Sequence, residues 1–271
     1  MELETFYQHL YQELEQNNAF YPYYKLNKGS FSRQQFRKAY FMQRLAYIDR
    51  HIDRRKNSTI LDCGCGYGST CLYLAMNGLA TKGTTLEYYS EQIDNRKKYW
   101  GQFGNSHLFD YVHENIFDHP PLPESLDYII LQDTLHHIEP MNEALPLFYK
   151  GLKKGGKLIL VEVNGESFIE NFIFFLKRGN HRIIEYYDEV LQKKILMGNE
   201  NFRSKEKWQK LFQNTGFALD EKSVEYVRFF LPFSFRQDDY MKTIEAEQRI
   251  AQRHHLLKRY GFIGLNMVFT K

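Results

Sequence analysis

The stretch TILDCGCGYGSTCLY, Thr59 to Tyr73, decides how the rest of the chain is read. Thr59-Ile60-Leu61 has the character of a short buried strand that ends at Asp62. Glycines follow at alternate positions, Gly64, Gly66 and Gly68. An apolar run from Cys71 to Met76 continues to Gly78, a helix stop. The order is therefore strand, acid, glycine-rich turn, helix. Glycine lets the backbone turn sharply and approach a ligand that a Cβ would push away. The helix N-terminus directs free N–H groups and a partial positive charge into the same space. A phosphate loop would need a Gly-Lys-Ser/Thr ending, and a dinucleotide loop the spacing G-x-G-x-x-G. Here the spacing is G-x-G-x-G, with an acid two residues before the first glycine.

Working outward, 271 residues suffice for one large domain or a core with a cap. Lys and Arg number 36 against 33 Asp and Glu, a net charge of +3, so composition gives no electrostatic argument for a nucleic-acid partner. Aromatic residues reach 16%, with 20 Tyr and 22 Phe, enough to line a pocket as well as a core. The N-terminus has no basic segment followed by an apolar one, and no apolar run is long enough to span a membrane. A cytoplasmic protein is the expectation. Cys63, Cys65 and Cys71 all fall in the glycine loop and its helix, with no His or Cys at ligand spacing beyond them. Neither a metal nor a disulfide is predicted.

Before the loop, Leu3, Phe6, Leu10 and Leu14 share one helical face, and Ser32 is placed to cap a second helix carrying Phe36, Tyr40, Leu45, Ile48 and Ile52. After it, strands and helices alternate, which predicts a parallel sheet with helices on both faces. Strand two runs from Ala80 to Leu86, strand three from Phe109 to His113, strand four from Leu126 to Leu131 and strand five from Lys157 to Val163. Residues delivered at the carboxyl ends of such strands face the ligand. For strand four these are Gln132-Asp133-Thr134-Leu135-His136-His137-Ile138. The stretch Ile183 to Met197 reads as helical, following the Phe- and Ile-dense SFIENFIFFL.

The G-x-G-x-G loop, the acid after strand two, the LHHI string after strand four and Leu152-Lys153-Lys154-Gly155-Gly156 before strand five together resemble the class I S-adenosylmethionine-dependent methyltransferases. The resemblance implies a Rossmann-like α/β fold: a doubly wound, seven-stranded, mostly parallel sheet whose last strand runs antiparallel between strands five and six. It implies an N-terminal helical cap (1–52), a cofactor-binding core (53–165), a helical acceptor-side insertion (166–203) and a C-terminal part of the core sheet (204–271). It also implies S-adenosylmethionine as donor, S-adenosylhomocysteine as product, and no metal.

In this family Asp62, Gly64, Gly66 and Gly68 would form the loop under the methionine part of the cofactor. Glu87, or Thr85 on the alternative alignment, would take the ribose hydroxyls, since a carboxylate accepts two hydrogen bonds. Asn115, or Glu114 beside it, would meet the adenine amino group, and Ile116 the ring; Gln132 completes the set. His137, and after it His136, are candidate general bases, as a histidine near its ordinary pKa suits that task. Tyr21, Tyr23 or Tyr24 of the cap would partner it at the acceptor, with Tyr21 and Tyr24 taken as the substrate-binding pair. The expected activity is methyl transfer to a small molecule, foremost to an oxygen of an apolar or aromatic metabolite. C- or N-transfer to a metabolite or lipid, a nucleic-acid or protein acceptor, and a non-catalytic cofactor binder are the alternatives. The apolar insertion would contact the acceptor or form a homodimer contact.

Overall fold

The computed structural model describes residues 1–16, 24, 26, 28–54, 57–87, 90–236 and 240–271. Two helices come first, α1 (Leu3–Gln16) and α2 (Phe31–His51). The alternating core follows: β1 (Ile60–Cys63), α3 (Ser69–Met76), β2 (Thr81–Thr85), α4 (Gln92–Trp100), β3 (Phe109–His113), β4 (Leu126–Gln132), α5 (Met141–Gly151) and β5 (Leu152–Val163). The insertion comprises α6 (Phe168–Arg178) and a hairpin of β6 (Ile183–Asp188) and β7 (Lys193–Gly198). The chain closes with α7 (Lys205–Thr215), β8 (Ala218–Leu219), β9 (Glu225–Val227), α8 (Tyr240–Arg253), α9 (His255–Gly261) and β10 (Gly264–Thr270).

The sheet order is β3-β2-β1-β4-β5-β10, with β8 and β9 end to end along the far edge of β10. β1 to β5 run parallel, and β10 lies antiparallel to β5 from Gly264 opposite Val163 to Thr270 opposite Lys157. The predicted sixth strand is thus two short pieces sharing one sheet position, separated by a 3-10 turn at Glu221–Ser223. From β1 the chain winds first outward to β3 and then back across to β4. A crevice opens where that direction reverses, at the carboxyl ends of β1 and β4.

Each sheet face carries its own core. On one, α1, α2, α3 and α4 pack around Phe6, Leu45, Tyr73 and Trp100; on the other, α5 and α7 pack around Phe148, Trp208, Phe212 and Phe269. Every residue of α3 is buried, as its apolar run demands. A buried ion pair ties α1 to the core: Arg96 donates to Glu13 at 2.8 and 2.9 Å, and Trp100 Nε1 donates to the same carboxylate at 2.9 Å.

Two local expectations change. Ile183–Met197 is a hairpin, not a helix. Ile, Ile, Tyr and Tyr favour a pleated strand, and the turn closes without glycine because Asp188 Oδ1 accepts from the N–H groups of Val190 and Leu191. Ser32 lies inside α2, and Ser30 occupies the cap position without a side-chain hydrogen bond. Ser204 does cap α7, accepting from the Lys207 N–H at 3.3 Å.

Candidate active site

The crevice holds a cavity of about 770 Å³. Its cofactor end is built by the glycine loop. The amides of Gly64 and Cys65 both donate to the Thr84 carbonyl at 2.8 Å, fastening the loop to β2. Gly64 has φ 80°, and a Cβ there would lie 2.2 Å from Thr134 Cγ2, so only glycine fits between the loop and the end of β4. Gly66, with φ 55°, lines the cavity. Gly68 is not among the lining residues. It precedes α3, and a Cβ would fall 2.4 Å from the Phe109 ring, so its part is packing rather than contact with a ligand.

Asp62 is buried at this end. Oδ2 accepts the Cys71 thiol at 3.3 Å, while Oδ1 has no hydrogen-bond partner among the described residues. Burial pushes its carboxyl up to about 7, with Cys71 offsetting little. An unsatisfied buried carboxylate is costly, and a cationic amino group would relieve it. Glu87, half-buried in the cavity wall, is also pushed up by burial. Thr85, the alternative position, also lines the cavity, and its hydroxyl accepts the Glu87 N–H at 3.1 Å.

Asn115 and Ile116 are both buried in the wall, with Glu114 beside them. The Asn115 side-chain carbonyl already accepts from the Phe117 N–H at 3.1 Å, which leaves it one lone pair for a ligand. Gln132 Oε1 accepts from Thr70 at 3.3 Å at the end of β4.

The other end of the cavity is framed by α2, the turn after β4 and the hairpin. His137 sits in a 3-10 turn, Leu135–His137, held from below by Glu162 at the end of β5. Glu162 Oε1 accepts the N–H groups of Leu135 and His136 at 2.7 and 3.3 Å, and Oε2 meets His136 Nδ1 at 2.5 Å. His136 faces Glu200 with its other nitrogen at 3.4 Å. Burial opposes its charge, but the Glu162 carboxylate outweighs that and holds the imidazolium up to about 10. His136 is therefore a buried cation among carboxylates and does not line the cavity, which corrects its candidacy as a base.

His137 does line it. Its Nδ1 lies 2.9 Å from the Gly198 carbonyl, which can only accept, so Nδ1 carries the proton and Nε2 the lone pair. Burial, and then the neighbouring His136 cation, lower its pKa and keep it neutral at physiological pH.

Of the cap tyrosines, Tyr21 and Tyr23 lie outside the described residues. Tyr24 lines the cavity, but at the glycine-loop end: its hydroxyl bonds Ser69 at 2.7 Å and Arg96 at 3.0 Å. The cap tyrosine beside the β4 turn is Tyr40. The guanidiniums of Arg44 and Arg228 lie 3.9 and 3.8 Å from its ring centre, and Arg44 forms an ion pair with Asp133. Arg37, Tyr40, Phe41 and Arg44 all line the cavity; Tyr40 was expected only as part of the helix's apolar face, and the other three were not singled out, since Arg44 meets its partner 89 residues away. Glu162 could have been noticed as an acid inside the apolar strand LILVEV. The hairpin completes the wall with Tyr186, Ile195, Leu196 and Met197.

A metal has one place to bind among the described residues: ligand atoms of His136, His137 and Glu200 lie within 4.8 Å of one another. Both ring nitrogens of His136 already face carboxylates, so an ion there would have to displace its proton. The three cysteines are free.

A protein-family profile described as a methyltransferase domain matches residues 33–222. Among curated proteins, the phosphoethanolamine N-methyltransferase of Plasmodium falciparum is 24% identical over 215 residues, covering 74% of this chain and 78% of its own. A solved S-adenosylmethionine-dependent methyltransferase from Listeria monocytogenes covers 84% of this chain and 98% of its own, with TM-score 0.55 and 17% identity. The geranyl diphosphate C-methyltransferase of Streptomyces coelicolor covers 90% and 84%, with TM-score 0.60 and 11% identity. With that profile spanning most of the core, and with the sheet order of the fold, the chain belongs to the class I S-adenosylmethionine-dependent methyltransferases.

Proposed function

We propose that the enzyme methylates an oxygen of a small molecule with an apolar body, and that His137 is the base. S-adenosylmethionine supplies an electrophilic methyl group on its sulfonium when bound. The residues fit it: the orphaned Asp62 oxygen suits its amino group, Glu87 its ribose hydroxyls, and Ile116 its adenine face. Gly64 and Gly66 leave room for the backbone to approach.

The chain's own work is then positioning and proton removal. Phe41, Tyr186, Ile195, Leu196 and Met197 offer apolar walls to the acceptor. His137 Nε2 takes the proton that the acceptor hydroxyl gives up. The observation that carries this reading is the neutral, anchored imidazole in the cavity wall. Residues 1–52 act as the cap and 166–203 as the acceptor-side insertion, and a nucleic-acid acceptor is not expected.

His137→Ala should lower turnover of an accepted phenol by about a hundredfold or more, with little change in affinity for S-adenosylhomocysteine. Unchanged turnover would leave His137 a structural residue. A second reading is N-methylation of an aminoalkyl phosphate. It draws on the Plasmodium relative and on the cations Arg37 and Arg44 in the cavity wall, the second paired with Asp133. Methylation of phosphoethanolamine, with no transfer to phenols or carboxylic acids in the same assay, would favour it.

A further inference from the structure

Helix α6 is inverted relative to an ordinary surface helix. None of its residues is buried. Phe168, Phe172, Phe175 and Leu176 recur at helical spacing, and Phe168, Phe172 and Leu176 are 72%, 64% and 69% exposed. Phe174 turns inward, against the ring of Phe202 at 5.1 Å. A contiguous apolar face of this kind is unusual on a protein that stays in water.

The rim of this face is predominantly cationic, with the half-buried Glu170 in the first turn of α6 as an exception. From Asn171 to Ile184 the chain has Lys177, Arg178, His181 and Arg182 and no acid. Helix α9 adjoins α6, with the Tyr260 ring 5.6 Å from that of Phe168. It adds exposed Leu256 and Leu257 between Arg253 and Lys258, in a stretch from Gln248 to Lys271 that also contains no Asp or Glu. Two acids at the margin, Glu166 and Glu185, are already paired with Arg259 at 2.5 Å and with Lys194 at 2.9 Å.

We propose that α6, the 179–182 loop and α9 form a docking face for an anionic phospholipid bilayer. Exposed Phe and Leu would enter the boundary between headgroups and acyl chains, while Lys and Arg lie at the level of the phosphates. The association is peripheral, since no helix among the described residues is long and apolar enough to cross a membrane. A second copy of the chain is a poorer occupant, because it would set the same cations against one another on a face where cations outnumber acids. The hairpin that leaves the 179–182 loop carries Tyr186 and Leu196, which are exposed and also line the acceptor cavity. A bilayer at this face would therefore lie next to the acceptor's entrance.

The test is flotation of the full chain with vesicles of phosphatidylcholine, with and without phosphatidylglycerol. Binding to the anionic vesicles alone, weakening with salt, is the expected result. Phe172→Asp with Phe175→Asp should lower partitioning by at least about tenfold, and Lys177→Gln and Arg182→Gln by about fivefold each. All variants should bind S-adenosylhomocysteine as the wild type does, which separates loss of the surface from loss of the fold or of the cofactor site. No flotation with anionic vesicles, or flotation unaffected by the two aspartates, would overturn the proposal. So would a solution dimer, detected by light scattering, that those aspartates split.

Discussion

Asp62 keeps one carboxylate oxygen buried without a hydrogen-bond partner among the described residues, and that makes it measurable. Its carboxyl is raised from 3.8 to about 7 by burial. In the ligand-free protein this group binds a proton more tightly than in the unfolded chain, so its contribution to stability falls as pH rises from the ordinary carboxylate range to about 7. A bound ammonium reverses the preference and favours the carboxylate. Binding of S-adenosylhomocysteine below pH 7 should therefore release close to one proton, and affinity should fall up to about tenfold per pH unit on the acid side. Calorimetry at pH 6 in buffers of different ionisation heat measures that proton directly. Asp62→Asn should abolish the buffer dependence; a wild type with no proton release would mean that the amino group is held elsewhere. His137 shows the opposite design. Its lowered pKa keeps Nε2 free at neutral pH, and the lone pair points to chemistry only because Gly198, from a different element, claims Nδ1.

At the scale of elements, the site depends on two attachments. The hairpin is seated by a bridge between Met197 and Ile138 and by Asp188, 3.4 Å from His113. A Cβ on Gly198 would lie 2.0 Å from the His136 carbonyl, so the hairpin and the turn after β4 are fitted to each other. The cap is seated by Glu13 and Arg96, which also reaches the Tyr67 carbonyl at 2.7 Å and Ser69 at 3.0 Å. Both members of that pair are buried. Glu13→Gln leaves an uncompensated guanidinium and should cost about 3–5 kcal/mol, read as a lower denaturant midpoint with an unchanged slope. A loss below about 1 kcal/mol would mean that the pair behaves as a surface contact. These attachments join residues far apart in the chain, and none was legible in the sequence. The hairpin itself was misread because its turn lacks Gly, Pro and Asn, the usual signs of a turn, and relies on the Asp188 side chain instead.

Across the whole molecule, what the sequence made legible is what repeats at short range. The G-x-G-x-G turn, the acid after β2 and the string after β4 each lie within a few residues, and all three reach the same cavity. The parallel core followed from the strand–helix alternation, and the antiparallel place of the last strand from the family resemblance. What stayed hidden is segregation in space. A net charge of +3 conceals an acid-free final stretch that the fold sets beside the apolar face of α6. Likewise the cap residues Tyr40 and Arg44 look like ordinary members of a polar helix until Asp133 is brought to them.

The account rests on one cavity holding the methyl donor between the glycine loop and Glu87. Isothermal titration of S-adenosylhomocysteine into the wild type and Glu87→Ala tests this most directly. Micromolar binding by the wild type, weakened by about tenfold or more in the variant as a carboxylate's charge-assisted hydrogen bonds are lost, is the predicted result. Equal affinity in the two proteins, or no binding to the wild type, would contradict the assignment.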